Sequence, residues 1–165
     1  MNKQSAKYIK ENIPYYGKLG TATERGKDAL AKKAWTITSQ YVRMRDFIQY
    51  RNCVSCKNAI QDWRDTDPAH YHSFAGNGAL SGFNLMNIHM SCKHCNGFRG
   101  AAAGHEMAEE IKKRYGDEII NELYQVKLQS VRADDWFYIG VIENVYKLFV
   151  FLKETYPDYD YPEYV

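Results

Sequence analysis

The sequence predicts an α+β fold in which a small metal-stapled core carries a short hairpin, with helices on either side. Three observations point there. Cys53-Val54-Ser55-Cys56 and Cys92-Lys93-His94-Cys95 form two matched Cys-x-x-Cys pairs. Between them lies a histidine-bearing stretch, Asp67-Pro68-Ala69-His70-Tyr71-His72, and directly after the second pair comes Asn96. On the flanks, apolar residues recur at helical spacing. Two such pairs bring four thiolates within tetrahedral reach of one ion, the ligand set of a structural zinc. The 35 residues between the pairs (57–91) exceed the roughly 15–20 of a compact zinc ribbon. The surplus is where a reactive centre fits.

Each element follows in order. Residues 1–33 are set apart as a basic N-terminal extension; 1–30 are polar, lysine-rich and punctuated by Gly17, Gly20 and Gly26, which predicts little fixed structure. From Ala31 to Tyr50 the pattern is helical, with Trp35, Tyr41, Val42 and Ile48 inward and Arg43, Arg45 and Arg51 on the wetter sides. Cys53 to Cys56 forms the first knuckle. Asp62 to Phe74 reads as the strands of a short hairpin, followed by a loop broken by Gly76, Gly78 and Gly82. Asn84 to Ser91 leads into the second knuckle. After Gly104, the stripe Met107, Ile111, Tyr115, Ile119 and Leu123 predicts a core-facing helix that Gly116 interrupts. The core region is thus 34–129, and 130–165 holds a last helix and a tail. Asp134 and Asp135 cap that helix, which runs to about Thr155 with Phe137, Val141, Val145, Leu148 and Leu152 inside. The tail, YPDYDYPEYV, is expected to fray or to drape over the surface. There is no internal repeat.

The net charge of +2 hides a gradient: residues 1–57 carry +8, 58–114 balance, and 115–165 carry −6. A basic front end beside a candidate reactive centre is a footprint for phosphate binding, although a solvated surface explains any single lysine equally well. The 14 tyrosines suit a binding surface of half-polar rings. No run of about 18 apolar residues suggests a membrane span, and MNKQSAKYIKENIPYY has no apolar signal region. A reducing cytoplasm is therefore expected. There paired cysteines hold metal more often than they form disulfides, and two disulfides are the alternative.

Phosphodiester cleavage with metal assistance needs a base for water, a hard cation and a rigid frame. His70 is the candidate base, since imidazole is largely neutral yet basic near pH 7. Asn96 offers a carbonyl oxygen and Asp67 a carboxylate to Mg²⁺ or Mn²⁺. Asn87 sits where its amide can pin the loop that carries the hairpin. The four-thiolate zinc has no open position, so its role is structural. His72, on the same expected strand face as His70, is a second ligand, a phosphate contact or merely exposed. His89, His94, His105, Asp62 and Asp65 have no comparable context.

Tyr41-Val42-Arg43-Met44-Arg45-Asp46, the Cys53–Cys56 pair, Asp67-Pro68-Ala69-His70-Tyr71 and Asn87-Ile88-His89-Met90-Ser91-Cys92-Lys93-His94-Cys95-Asn96 together resemble the phage recombination protein family NinG, or Rap. The resemblance covers roughly residues 34–129. It implies a treble-clef HNH (ββα-metal) core that cuts branched DNA, including Holliday junctions and D-loops. Residue by residue, Cys53, Cys56, Cys92 and Cys95 match the zinc ligands, His70 the general base, Asn87 the middle position and Asn96 the last. Ala69 stands where many HNH proteins carry an acid or histidine, Asn96 replaces their final histidine, and His72-Ser73-Phe74 stand where basic residues are usual.

The expected activity is hydrolysis of DNA phosphodiesters in an infected bacterium, with Arg43, Arg45, Arg51 and Lys57 as phosphate contacts. Expected partners are branched DNA, a second copy of the chain, and phage or host recombination proteins. The rival is a non-catalytic zinc module that binds DNA or a recombination partner.

Overall fold

The computed structural model describes residues 1–19, 29–73, 78–129, 131 and 133–165. Among them are seven α-helices and two strands: α1 (Lys3–Asn12), α2 (Ala29–Tyr50), β1 (Thr66–His70), α3 (Gly78–Phe83), β2 (Ile88–Cys92), α4 (Lys93–Phe98), α5 (Gly100–Tyr115), α6 (Ile119–Leu128) and α7 (Asp135–Thr155). The fold is mixed α+β. It divides into two compact units, Met1–Tyr41 with Ala133–Val165, and Val42–Arg132, so the boundary falls inside α2.

In the first unit, the lysine-rich N-terminus is helical where the sequence predicts little fixed structure. Asn2 starts α1 by accepting the Ser5 N–H at 2.9 Å. Ser5 Oγ and the Asn2 N–H both donate to Asp135 at the start of α7, each at 2.7 Å. Tyr8 donates to Glu143 at 2.9 Å, and Tyr15 stacks on Tyr146 with centroids 3.7 Å apart. Tertiary contacts with α7 thus order a segment whose composition alone favours no helix. Gly20 and Gly26 lie outside the described residues. Helix α7 begins as expected, with Asp134 accepting the Phe137 N–H at 2.9 Å. Its buried face, however, is Ile139, Ile142, Val145, Phe149 and Leu152. Of the five residues expected inside, only Val145 and Leu152 belong to it. Of the tail, Tyr161 donates to the Leu152 and Tyr156 carbonyls at 3.0 and 2.9 Å, and Tyr164 is buried, so of the two expected states this segment is draped, not frayed.

In the second unit, β1 pairs antiparallel with β2, Thr66 opposite Cys92 and His70 opposite Ile88. The hairpin therefore joins 66–70 to 88–92 rather than closing within Asp62–Phe74. Among the described residues of that stretch only 66–70 are strand, because Asp62 instead caps a 3₁₀ turn at Trp63–Asp65 through the Arg64 N–H. Gly78 and Gly82 lie in α3 instead of a loop, while Phe74 and Gly76 fall outside the described residues. Met107, Ile111, Ile119 and Leu123 pack with Val54 and Ala69 into one apolar cluster, with Tyr115 against it. Gly116 parts α5 from α6, its φ of 94° being a value that side-chain-bearing residues rarely adopt. No described helix is long and apolar enough to cross a membrane.

Candidate metal centre and the adjoining pocket

The first knuckle is a tight turn after α2. The Cys53 N–H donates to Asn58 O at 3.0 Å and the Lys57 N–H to Cys53 O at 3.1 Å, with Lys57 at φ 63°. The Val54 N–H bonds Met90 O at 3.0 Å, which ties this turn to β2. The second knuckle straddles the end of β2 and the start of α4, where Cys92 Sγ caps the helix through the Cys95 N–H at 3.5 Å. The four Sγ atoms all lie within 4.8 Å of one another, and Cys56 and Cys92 are 3.9 Å apart. A tetrahedral zinc with Zn–S bonds of about 2.3 Å has sulfur–sulfur edges of about 3.8 Å. The spacing therefore fits one zinc ion, and all four cysteines are free thiols.

The surrounding donors fit as well. Burial works against a thiolate at Cys53. The Cys92 N–H at 3.3 Å, the Ser91 hydroxyl at 3.5 Å and the N–H groups of Cys56 and Ser55 outweigh it, pulling the Cys53 pKa down to about 6. Burial, and the neighbouring Cys53 and Cys95, push Cys56 up to about 12. One thiolate forms readily here and the next is resisted, which is the charge problem that a bound divalent cation removes. Arg99 reaches Cys95 Sγ at 3.6 Å and is clamped by Glu106 through two bonds of 2.6 Å.

A pocket of about 260 Å³ opens beside this centre. His70, from the end of β1, and Asn96, from α4, both line it, with Ala69, Ala103, Gly104 and Met107 among the apolar wall. His70 Nε2 lies 2.9 Å from Gly82 O. A carbonyl only accepts, so Nε2 carries the proton and Nδ1 is the basic nitrogen of the neutral ring. Burial lowers the His70 pKa, partly offset by that carbonyl. Asn96 Nδ2 donates to Asp67 Oδ2 at 3.4 Å, so the amide and the carboxylate sit side by side. The structure thus brings His70 and Asn96 to one pocket and Asp67 to Asn96.

Asn87 is fully buried. Its Oδ1 accepts the His72 N–H at 2.8 Å, and its Nδ2 donates to His72 O at 3.0 Å and Ser81 O at 2.9 Å. It pins the backbone on both sides of the hairpin connection. His72 lies beyond the end of β1, so it does not share a strand face with His70, and its Nε2 is a buried atom without a hydrogen-bond partner.

The basic residues divide. Arg51 is exposed over the Phe47 ring, and Lys57 pairs with Glu110 at 2.8 Å. Arg43 is half-buried, donating to Thr66 O at 2.9 Å above the Trp63 ring. Arg45 corrects the expectation of a wet side: it is 7% exposed and donates to Asp46 at 2.7 Å, Leu85 O at 2.9 Å and Ile88 O at 3.1 Å. A guanidinium spent on buried carbonyls is not available to a phosphate.

Arg45 belongs to a buried polar cluster that the sequence reading missed. Asp46 also meets Arg114 at 3.2 Å, the Met90 N–H at 2.9 Å and His89 Nδ1 at 3.1 Å. Burial would raise the Asp46 pKa, but Arg45, His89 and Arg114 hold it well below the carboxylate range. Burial lowers the His89 pKa against the pull of Asp46. Its Nε2 lies 3.0 Å from Met86 O, and its Nδ1 stands between the Asp46 carboxylate at 3.1 Å and Arg45 at 3.3 Å. The signal was Asp46 itself, an acid set between Val42, Met44 and Phe47 on the buried arc of α2.

A family model described as Bacteriophage Lambda NinG protein matches residues 17–136. The chain belongs to the NinG family. The NinG match takes in both cysteine pairs, the strand pair and the pocket residues, and extends beyond the 34–129 over which the motifs run. No curated protein and no solved structure matches this NinG-family chain.

Proposed function

We propose that this NinG-family chain is a metal-dependent DNA endonuclease, built on a treble-clef HNH core, which cuts branched recombination intermediates such as Holliday junctions and D-loops. It acts during phage recombination in the cytoplasm of the infected bacterium. The observation that carries the reading is the placement of His70 and Asn96 around one pocket, beside a four-thiolate site.

His70 acts as general base. With its Nε2 proton committed to Gly82 O, Nδ1 takes a proton from water, whose oxygen attacks the phosphorus while the sugar oxygen on the far side leaves. Burial keeps the ring neutral and so able to accept that proton at pH 7. Asp67, through its carboxylate, and Asn96, once its amide oxygen turns to the site in place of the Nδ2 that now donates to Asp67, would hold a Mg²⁺ or Mn²⁺ ion. Such an ion would supply charge neutralisation at the phosphate and the leaving oxygen. The zinc site holds β2 and α4 together, and Asn87 fixes the chain around the hairpin. Arg51, Lys57 and Arg43 supply positive charge for the DNA backbone, and His72 is a further phosphate contact.

A second reading, a non-catalytic zinc module that binds DNA or a recombination partner, is favoured by one observation. Ala69 faces the apolar cluster and offers no ligand where HNH proteins often carry one. The two separate when the protein is incubated with plasmid, linear duplex and four-way-junction DNA, with and without Mg²⁺. The nuclease reading expects Mg²⁺-dependent nicks, most abundant on the junction. Binding without any cleavage would support the second.

A further inference from the structure

Arg99 stands between the two helices that meet at the metal centre, ending α4 and beginning α5. A helical side chain leans toward the N-terminus and lies over the residue four places back. For Arg99 that residue is Cys95, and Nη1 donates to its Sγ at 3.6 Å. Glu106 is seven residues further on, close to two turns, so it faces the same side of α5 as Arg99. Its carboxylate takes both arms of the guanidinium, Nη1 to Oε2 and Nη2 to Oε1, each at 2.6 Å. Nη1 carries a hydrogen for the carboxylate and another for the sulfur.

The other sulfurs meet donors of a different kind. Cys53 Sγ accepts the Cys92 N–H at 3.3 Å, with the Ser91 hydroxyl 3.5 Å away, and Cys92 Sγ accepts the Cys95 N–H at 3.5 Å. Cys56 is met by the Asn58 N–H. All of these donors are neutral, whereas the one at Cys95 carries a full positive charge. A zinc ion held by four thiolates has two excess negative charges. Cys53 and Cys95 are buried, at 0% and 2% exposed, where uncompensated charge is costly. The Arg99–Glu106 pair, with side chains 28% and 37% exposed, contributes little to stability by itself. What it does is aim the guanidinium: a bidentate clamp fixes the planar fork, so Nη1 stays on the sulfur without further loss of side-chain freedom.

We infer that Arg99, aimed by Glu106, is a positioning residue of the zinc site: it compensates the charge of the Cys95 thiolate and so sets how tightly the ion is held. Lysine would not serve equally, since it offers a point charge with no fork to share between carboxylate and sulfur. The inference concerns the metal centre and holds whether or not the pocket cuts DNA.

Competition for Zn²⁺ against a chromophoric chelator, on the full chain at fixed pH, tests it with Arg99→Met, Arg99→Lys and Glu106→Gln. Arg99→Met should raise the zinc dissociation constant by about 10–100-fold, the usual loss for a group that hydrogen-bonds a metal ligand. Arg99→Lys and Glu106→Gln should each fall between that variant and the parent. Lys112→Met, which removes a cation paired with Glu109 elsewhere on α5, should match the parent. Loading with Co²⁺ separates charge compensation from a mere bracing of α4 against α5. Withdrawing a donor raises the energy of the sulfur electrons, so the thiolate-to-cobalt charge-transfer band of Arg99→Met should move to longer wavelength. A parental zinc constant in Arg99→Met overturns the inference, as does a parent chain that binds no zinc. So does a weakened constant with the cobalt band unmoved, the mark of bracing alone. If Arg99→Met fails to fold, Arg99→Lys and Glu106→Gln decide, and parental constants in both overturn the inference.

Discussion

Side chains in this molecule do their work through a few short bonds, and the consequences of losing them differ in kind. Cys53→Ser removes one zinc ligand; elemental analysis should find the zinc lost, and thermal unfolding the second unit unfolded, since metal binding in small knuckles supplies on the order of 10–16 kcal/mol. A variant that keeps one zinc per chain and melts like the parent would contradict that role. Asn87→Ala leaves His72 and Ser81 backbone groups without their buried partner. Arg45→Ala strips the buried Asp46 of a cation. Each should cost on the order of 3 kcal/mol in urea unfolding. If Arg45→Ala instead weakens only DNA affinity, the residue is a phosphate contact after all. The grouping of the four thiols was legible because metal chemistry restricts residue type and spacing; His70 and Asn96 do meet at one pocket, while their roles as base and ligand belong to the proposal. Arg45 and His89 were not legible, because nothing in their own types says that α2 turns Asp46 inward beneath them.

Helices and strands follow the same division between local rule and tertiary context. The α5 and α6 stripe, the break at Gly116 and the Asp134 cap were readable, because each depends on residues within a few positions. The partner of β1 was not, since 17 residues (71–87) separate the paired strands and α3 stands among them. Nor was α1, whose order comes from α7 at the far end of the chain, nor the rotation of α7, because two apolar faces give periodicity two answers. At Gly116 the φ of 94° leaves open space where a Cβ would go, so the obstacle to a side chain is backbone conformation. Gly116→Ala should cost about 1–2 kcal/mol, whereas Gly104→Ala, in the ordinary interior of α5 with space around it, should add up to about 1 kcal/mol. Thermal unfolding of both variants checks the contrast, and equal shifts of one sign would contradict it.

At the scale of the whole molecule, protonation of buried histidines couples to stability. His70, His72 and His89 all have pKa values lowered chiefly by burial. Between pH 7.5 and 5.5 the unfolded chain therefore binds protons that the folded chain refuses, and stability falls as the pH falls through about 6.5. A urea midpoint that is unchanged or higher at pH 5.5 would contradict this. The central claim, a NinG-family nuclease with His70 as its base, is tested most directly by the rate of four-way-junction cleavage for His70→Ala against the parent, in Mg²⁺ and with equal zinc content. The account predicts a fall of about 10²–10⁴ in the cleavage rate, the usual contribution of a positioned base, with junction affinity nearly unchanged. Cleavage by His70→Ala at the parental rate would contradict it.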